Sequence, residues 1–323
     1  MRVLLTGCAG FIGSHVAQRL LEQGVEVIGF DNVNAYYDAT LKERRLERLS
    51  ASGGFRFHRA DLGDGEALDV AFDDLLEGLD GDDTRVCHLA AQAGVRHSIE
   101  HPEDFIRDNL VGFHGVAERC RRREVGGLIY ASTSSVYGDQ TADLLSEDLR
   151  TESQASLYAM TKKSNELEAG VYHRLYGLRC TGLRFFTVYG PWGRPDMALF
   201  LFTDAILAGR PIKVFGQGEM QRDFTYVDDI VSGVVAALEK NFDNEIINLG
   251  RGRTEQLMEF IETIERACGR EAEKEFLPMQ LGDVKRTSAD ISKARRLLDY
   301  EPQTSISEGV PRFVEWYRSY YGA

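Results

Sequence analysis

Tyr158 and Lys162 stand four residues apart in the segment Tyr158-Ala-Met-Thr-Lys162, and the pair could take a proton from a substrate. Residues four apart share one face of a helix, so Lys162 would lie beneath Tyr158 and stabilise its phenolate. The phenol could then act as a base near neutral pH, although the free pKa of tyrosine is about 10. A surface helix pair is the competing interpretation, so accompanying motifs have to decide between the two.

Three glycines near the start of the chain, Gly7, Gly10 and Gly13, fall between an apolar strand and a helix. Here the missing side chains let a diphosphate approach backbone N–H groups at the positive end of the helix. Phe11 and Ile12 lie inside the same turn and belong to this predicted site. The pattern predicts that the chain binds a dinucleotide.

A carboxylate, Asp31, ends the second predicted strand, shortly after this glycine turn. A carboxylate there can accept hydrogen bonds from an adenosine ribose and would repel a 2′-phosphate, so NAD is favoured over NADP. Asn32 follows it and is included in the predicted site. In the competing interpretation, Asp31 only caps the following loop.

Two later segments complete the predicted cofactor site. Asp61 and Leu62, after the third strand, could hold the adenine. The small residues after the fourth strand lie where the nicotinamide half would pass, and they are Leu89, Ala90, Ala91 and Gln92. His88 is interpreted as a hydrogen-bonded core histidine. A dinucleotide beside Tyr158 and Lys162 predicts a nicotinamide enzyme that moves a proton and a hydride.

Composition and charge exclude several classes of protein. The 323 residues, 43% of them hydrophobic, suffice for one large α/β domain or two modest ones. A net charge of -13 argues against polyanionic partners, so we expect neither nucleic acid nor a membrane. No apolar run approaches a membrane span and the glycine turn leaves no room for a signal peptide, so we expect a cytoplasmic protein. The five cysteines are scattered, which predicts reduced thiols and no metal site.

Short apolar runs alternate with longer amphipathic stretches in the first half, which predicts repeated βαβ units. Strands that alternate with helices are parallel, so the predicted fold class is α/β, with a Rossmann-type doubly wound parallel sheet. We predict strands at 3–5, 25–30, 56–60, 85–89, 127–131 and 180–184, and helices at 15–22, 105–123 and 159–176.

Glycine and proline break up the pattern beyond about residue 185. We predict short strands at 212–215, 224–227 and 246–249, and helices at 230–238 and 258–268. The chain is therefore predicted to have an NAD-binding domain over 1–180 and a smaller C-terminal mixed α/β substrate domain over 181–323. Later strands could return to the first sheet.

Six motifs, in order along the chain, resemble those of the extended short-chain dehydrogenases/reductases, and in particular the nucleotide-sugar epimerases. They are Thr6-Gly-Cys-Ala-Gly-Phe-Ile-Gly13, Leu89-Ala-Ala-Gln-Ala-Gly-Val-Arg96, Tyr130-Ala-Ser-Thr-Ser-Ser-Val-Tyr-Gly138, Tyr158-x-x-x-Lys162, Arg184-Phe-Phe-Thr-Val-Tyr-Gly-Pro191 and Gln221-Arg-Asp-Phe-Thr-Tyr-Val-Asp-Asp229. Within that group the chain is most like the UDP-glucuronate 4-epimerases. The resemblance implies NAD as cofactor and a UDP-sugar as substrate.

The resemblance also implies catalytic roles. Thr133 would bear the hydroxyl that works with the tyrosine, Tyr158 would be the base, and Lys162 would hold the nicotinamide ribose and lower the pKa of the tyrosine. Related sugar dehydratases have an Asp-Glu pair after that hydroxyl, whereas this chain has Ser134 and Ser135. Plain 4-epimerisation through a transient 4-keto sugar is therefore implied, with UDP-glucuronate becoming UDP-galacturonate.

A 4-ketone beside a 6-carboxylate can lose CO2, so the carboxylate has to be held near the carbonyl plane. The resemblance and the donor chemistry favour four residues for this role: Ser134, Ser135, Thr187 and Arg194. For each hydroxyl residue, an ordinary turn or cap role is the competing interpretation.

Arginines are the predicted ligands of the diphosphate. Arg222 and Arg286 are implied by the resemblance, and the alternatives are ion pairs with Asp223 and Asp283. Arg96 could lie near either a phosphate or the carboxylate.

Helices around 105–116 and 157–175 carry apolar residues on more than one face. In the family such helices pair across a two-fold axis, which implies a homodimer, and burial against the sheet is the alternative.

Two other functions stay open. A UDP-glucose/galactose or N-acetylated sugar 4-epimerase would need no carboxylate contact from Arg194. A non-catalytic NAD-binding protein would normally lack Tyr158 or Lys162.

Overall fold

The computed structural model describes residues 1–140 and 142–322. Its strands are β1 (Arg2–Thr6), β2 (Glu26–Asp31), β3 (Phe55–Arg59), β4 (Thr84–His88), β5 (Leu128–Thr133), β6 (Cys180–Phe185), β7 (Thr187–Tyr189), β8 (Ile212–Phe215), β9 (Gln221–Arg222), β10 (Phe224–Tyr226), β11 (Asn244–Leu249), β12 (Glu255–Gln256) and β13 (Lys274–Leu277).

The α-helices alternate with these strands. They are α1 (Phe11–Glu22), α2 (Ala39–Ser50), α3 (Gly65–Leu76), α4 (His97–Glu100), α5 (Pro102–Phe105), α6 (Gly112–Arg122), α7 (Leu157–Tyr176), α8 (Ala198–Ala208), α9 (Val227–Lys240), α10 (Leu257–Cys268), α11 (Ser292–Leu298) and α12 (Ile306–Tyr321). A π-helical segment, Ile106–Val111, joins α5 to α6. The predicted helix at 105–123 is therefore broken by a change of helix type, and the other predicted helices are confirmed within a few residues.

Seven strands form one parallel sheet in the order β11-β6-β5-β4-β1-β2-β3. The chain runs outward from β1 to β3 and then crosses to β4 on the other side of β1. This confirms the predicted α/β, doubly wound sheet. It also places a crevice between the carboxyl ends of β1 and β4, where such folds bind ligands.

Both faces of the sheet are buried, and alternate residues of one strand show how. Leu4 packs in a cluster with α3, α6 and α7, whereas Val3 and Leu5 pack in the larger cluster that includes α1 and α9. Side chains of a strand point to opposite faces in turn, so each face needs its own helix layer. The near-continuous apolar runs read in the sequence are explained by this double burial.

Two strands from the second half of the chain belong to the main sheet. β6 pairs with β5, and β11 pairs with β6 at the edge. The predicted domain boundary between residues 180 and 181 therefore falls inside β6. The sequence analysis allowed for later strands to return to the first sheet, and β6 and β11 do so. Short two-stranded pairs, β7 with β10, β9 with β12 and β8 with β13, lie outside it. The predicted strand at 224–227 is one residue too long, because Val227 begins α9. The assignment of 181–323 to a separate domain stays a prediction.

In the part of the chain that the structure describes, no helix is long and apolar enough to cross a membrane.

Candidate active site

One cavity of about 660 Å³ opens along the carboxyl ends of the central strands. Every residue predicted for the site lines it, including the glycine turn, Tyr158, Lys162 and all seven predicted substrate contacts. Residues from nearly the whole length of the chain, from Gly7 to Arg286, thus meet around one space. The roles of the individual residues stay predictions at this point.

The glycine turn is packed too tightly for any side chain. A Cβ on Gly13 would lie 2.1 Å from the carbonyl oxygen of Gly7, and a Cβ on Gly7 would lie 2.6 Å from the backbone nitrogen of Ala90. Gly7 also has a φ of +75°, which disfavours other residues. Gly10 precedes α1 and provides no side-chain cap, so the first N–H groups of α1 are left for a ligand. This cradle fits a dinucleotide diphosphate.

Asp31 lies at the end of β2, 8% exposed, and serves the turn and the cavity together. One carboxylate oxygen accepts the N–H of Val33 at 2.8 Å, and the other accepts the N–H of Ala9 at 3.1 Å. The loop-capping role considered above is therefore present. A carboxylate has about four acceptor positions, so capacity remains for ribose hydroxyls. Burial raises the pKa of Asp31, and the two backbone hydrogen bonds oppose that rise.

Asn32 and Asp61 are joined directly at the wall of the cavity. The Asn32 amide donates to Asp61 at 2.8 Å, and the other Asp61 oxygen accepts the N–H of Gly63 at 2.9 Å. These bonds fix both side chains beside Leu62, which also lines the cavity. The group predicted for the adenine half is therefore preformed.

α7 presents Tyr158 and Lys162 from its first two turns. Ser156 caps the helix by accepting the N–H of Ala159 at 3.1 Å, so Tyr158 lies next to the positive end of the helix dipole. Lys162 is 2% exposed, and within residues 1–140 and 142–322 it forms no ion pair with an acidic side chain. A buried ammonium left without a protein counter-ion is suited to a ligand's hydroxyl groups.

Burial shifts the two pKa values toward the neutral forms. Burial raises the pKa of Tyr158, while its hydrogen bond with Thr133 and the charge of Arg194 oppose the rise. Burial lowers the pKa of Lys162 to about 8. At Tyr158, desolvation outweighs these two favourable contacts. The effect of Lys162 on the pKa of Tyr158 stays a prediction.

Arg194 is held at the wall of the cavity by a carboxylate and a carbonyl. Its Nη2 donates to Asp196 at 2.6 Å and to the Ala93 carbonyl at 3.2 Å, and its Nε donates to Asp196 at 3.0 Å. Tyr36 donates to the same carboxylate at 3.0 Å. Within the described residues, Nη1 of Arg194 makes no hydrogen bond, so one side of the guanidinium fork can serve a ligand.

The two diphosphate candidates differ in how firmly the protein holds them. Arg222 donates to Asp283 at 2.9 Å and to the carbonyls of Gln221 and Lys285, whereas Arg286 has one ion pair, with Asp143 at 2.8 Å. Of the ion pairs considered above as alternatives, one with Asp283 is present, at Arg222, and within the described residues neither arginine pairs with Asp223. Asp223 is instead buried and accepts the backbone N–H groups of Arg251, Gly252 and Ala289.

The model of the NAD dependent epimerase/dehydratase family matches residues 3–250, which cover the glycine turn, Tyr158, Lys162 and Arg222. The chain belongs to this family.

Similar proteins narrow the place of the chain within the epimerase/dehydratase family. It is 45% identical to a UDP-glucuronate 4-epimerase of Thermodesulfobacterium geofontis, over 97% of this chain and 95% of the other. A crystal structure of UDP-glucuronic acid 4-epimerase from Bacillus cereus, in complex with UDP-glucuronic acid and NAD, matches with a TM-score of 0.91 and 38% identity, over 99% of this chain and 100% of that chain. A UDP-glucose 4-epimerase from Thermotoga maritima, with UDP-glucose, matches with a TM-score of 0.89 and 32% identity, over 99% of this chain and 100% of that chain.

Some residues of this epimerase/dehydratase site were not found from the sequence. Asn109, in the π-helical segment, is 1% exposed; its side-chain carbonyl accepts the N–H of Gln92 at 2.8 Å, and its amide donates to the Gln92 carbonyl at 2.9 Å and to Thr161 at 3.0 Å. It therefore ties the loop after β4 to α7. The only local signal for Asn109 in the sequence was its amide side chain, in a stretch that is predicted to be helical. Tyr36, Lys42 and Asp196 do line the cavity, and they too were not found from the sequence.

Proposed function

We propose that this chain catalyses the 4-epimerisation of UDP-glucuronate to UDP-galacturonate, with NAD as a cofactor that is not consumed. One observation carries the proposal: Thr133, Tyr158 and Arg194 line the same cavity as the glycine turn. One cavity therefore offers a base for the 4-hydroxyl of a bound sugar nucleotide and a cation for its 6-carboxylate. The same cavity holds the cradle for the dinucleotide.

The residues fit NAD on structural grounds. The glycine turn leaves room that a Cβ would fill, Asp31 retains acceptor capacity for the adenosine ribose, and Lys162 offers a buried cation to the nicotinamide ribose. When bound, NAD supplies the acceptor, and afterwards the donor, of the hydride at carbon 4 of the sugar.

Tyr158 handles the proton in this proposal. Its phenolate removes the proton of the 4-hydroxyl while carbon 4 loses its hydride, and the phenol returns that proton after the 4-keto sugar has turned its other face. Thr133 lines the same cavity and opposes the rise in the pKa of Tyr158, so the proposal places its hydroxyl beside the 4-oxygen. Because burial favours the neutral phenol, the phenolate needs a nearby positive charge, which Lys162 and the end of α7 both contribute.

The 6-carboxylate has to be oriented while the ketone exists. Loss of CO2 requires the bond from carbon 5 to carbon 6 to overlap with the carbonyl π system, so holding that bond near the carbonyl plane prevents the loss. Within the described residues, Arg194 has Nη1 available for a charge-assisted hydrogen bond, and Ser134, Ser135 and Thr187 line the same cavity. A UDP-glucose epimerase would not need this arrangement.

Two cations serve the diphosphate. Arg286 can leave its single, exposed ion pair with Asp143 at little cost, because surface ion pairs contribute about 0–1 kcal/mol. Arg222 keeps its protein contacts and can add a contact through Nε, which makes no hydrogen bond within the described part of the chain. Arg96, exposed at the cavity wall, serves the phosphate or the carboxylate.

The active form is a homodimer in this proposal. Leu167, Val171 and Leu175 form a stripe on α7 at four-residue spacing, and their exposed fractions are 62%, 51% and 63%. Val111, at the end of the adjoining π-helical segment, is 60% exposed. Apolar side chains on two neighbouring helices fit the same stripe of a second copy, as in a four-helix bundle.

We place the enzyme in the cytoplasm, where its five free, buried cysteines would stay reduced.

Incubation of the purified, NAD-loaded protein with UDP-glucuronate tests the proposal. We expect UDP-galacturonate to form without added reductant, and chromatography of the products would detect it. UDP-glucose, supplied in parallel, should react far more slowly because it offers no carboxylate to Arg194. Preferred turnover of UDP-glucose, or no turnover of either sugar by NAD-loaded protein, would contradict the proposal.

A further inference from the structure

A cluster of three potential metal ligands lies outside the machinery described above. Ligand atoms of His97, Glu100 and His101 all lie within 4.8 Å of one another. α4 supplies the first two and His101 follows it directly, and the N–H of His101 donates to the His97 carbonyl at 2.9 Å. One helical turn therefore places side chains at positions i, i+3 and i+4 on a common face.

The protein does not use these donor atoms for its own contacts. In residues 1–140 and 142–322, none of the three side chains forms an ion pair within 4.0 Å. The imidazoles contact each other instead, with ring centroids 4.4 Å apart, and His97 also packs against Tyr36 at 4.6 Å. Glu100 and His101 are exposed, so an ion from solvent can reach them.

We propose that His97, Glu100 and His101 bind one transition-metal cation of the Zn²⁺ type at the rim of the cavity. Two imidazoles and one carboxylate form a set that Zn²⁺ prefers, whereas Mg²⁺ and Ca²⁺ prefer oxygen ligands alone. Bonds of about 2.0–2.2 Å at tetrahedral angles place donors about 3.4 Å apart, so closure needs only small rotations of exposed side chains. Three protein ligands leave a fourth position for water.

The site adjoins the sugar end of the cavity through His97, which lines the cavity wall. Tyr36 packs on His97 and donates to Asp196, the carboxylate that holds Arg194. A cation at the cluster would therefore fix the ring that supports this chain of contacts. The proposal itself does not depend on which sugar the enzyme converts.

A Co²⁺ titration of the tag-free, NAD-loaded protein, followed by visible absorbance, tests the proposal. We expect one Co²⁺ per chain with the intense bands of a four- or five-coordinate site, displacement by Zn²⁺, and no competition by Mg²⁺. Glu100→Gln and His101→Ala should each weaken Co²⁺ binding by at least about tenfold, a loss that even outer contacts of metal sites produce. Zn²⁺ should raise the melting temperature of the unsubstituted protein more than that of either variant.

His114→Ala is the matched control, because His114 is another exposed histidine and lies 2.7 Å from Glu168. The control should bind Co²⁺ like the unsubstituted protein. Equal binding by Glu100→Gln, His101→Ala and the unsubstituted protein would overturn the proposal. So would the absence of a saturable Co²⁺ spectrum, or a loss of binding in His114→Ala as large as in His101→Ala.

Discussion

The sequence motif of Tyr158 and Lys162 predicts that the two side chains lie close together, but it does not predict their protonation states. Both lie where the spacing predicts, on one face of α7 and at one cavity, yet burial favours the neutral form of each. Desolvation acts on both groups in this way, and only a further positive charge or a bound hydroxyl can reverse it. The base is therefore expected to become active only when the cavity is filled.

Removal of the phenolic oxygen tests the role of Tyr158. Tyr158→Phe should lower kcat by about 10²–10⁴-fold, because a positioned acid or base contributes that much. Binding of UDP-glucuronate should change little, since the ring is retained. Turnover by product chromatography and affinity by calorimetry measure the two effects. A kcat within tenfold of the unsubstituted enzyme would remove Tyr158 from the mechanism.

Replacement of Arg194 tests the orientation of the carboxylate. Arg194→Gln loses the charge-assisted hydrogen bond, so we expect a larger share of decarboxylated product or a loss of substrate affinity of about tenfold or more. Quantification of released CO2 and of the pentose product against UDP-galacturonate measures the share. An unchanged product ratio at unchanged affinity would contradict the role of Arg194.

The buried ammonium of Lys162 makes stability depend on pH. Its pKa is lowered from 10.5 to about 8 in the folded chain, so between these values the unfolded chain binds more protons and the free energy of unfolding rises with pH. Relative to Lys162→Met, the unsubstituted chain without NAD should gain about 2 kcal/mol between pH 7.5 and 9.5. Urea unfolding at both pH values measures this gain. An equal pH dependence of the two chains would show that Lys162 is not held as described.

At the scale of elements, the turn between β1 and α1 is the most constrained part of the fold. Gly13→Ala places a Cβ 2.1 Å from the Gly7 carbonyl oxygen, and Gly53→Ala meets no atom within 4 Å. We expect Gly13→Ala to lower the free energy of unfolding by about 1–3 kcal/mol and to reduce the NAD retained on purification. The control, Gly53→Ala, should stay within about 1 kcal/mol. Similar NAD content in both variants would argue against the cradle.

Elements were predictable where the signal is local. The runs that became β1 and β2 are apolar on both faces, and the glycine turn has the required spacing, so neighbouring residues suffice. The two-residue strands β9 and β12 have no such signal, because they exist only through their pairing with each other. The change to π-helix at Ile106–Val111 also depends on contacts across the fold, such as those of Asn109.

At the scale of the whole molecule, the sequence predicted which residues line the cavity better than it predicted the ion-pair partners of the arginines. Every predicted site residue lines the cavity, because parallel strands bring their carboxyl ends to one edge. Of the acidic partners considered for the arginines, Asp283 does pair with Arg222, whereas Arg286 pairs with Asp143, and both pairs join residues more than sixty positions apart in sequence. Tertiary packing sets such pairs, and adjacent acidic residues in the sequence are a poor guide to them.

The proposed dimer makes a prediction at the same scale. Leu167→Glu combined with Val171→Glu would place charges on the apolar stripe of α7, so the mass in solution should fall from two chains to one. Light scattering after size exclusion measures the mass. Val70→Glu, at a 47% exposed residue of α3, is the control and should leave the mass unchanged. An unaltered mass in the double variant would exclude this face as the interface.

The position of β11 at the sheet edge has a consequence for biosynthesis. β6 covers the edge of β5, and β11 covers the edge of β6, so the growing sheet keeps an open edge, first at β5 and then at β6, until residues 244–249 have been translated. Unpaired strand edges recruit other chains. A nascent polypeptide stalled before residue 244 would therefore expose an unpaired, aggregation-prone strand edge beside an incomplete catalytic centre. Chaperone protection is needed most in that interval of translation.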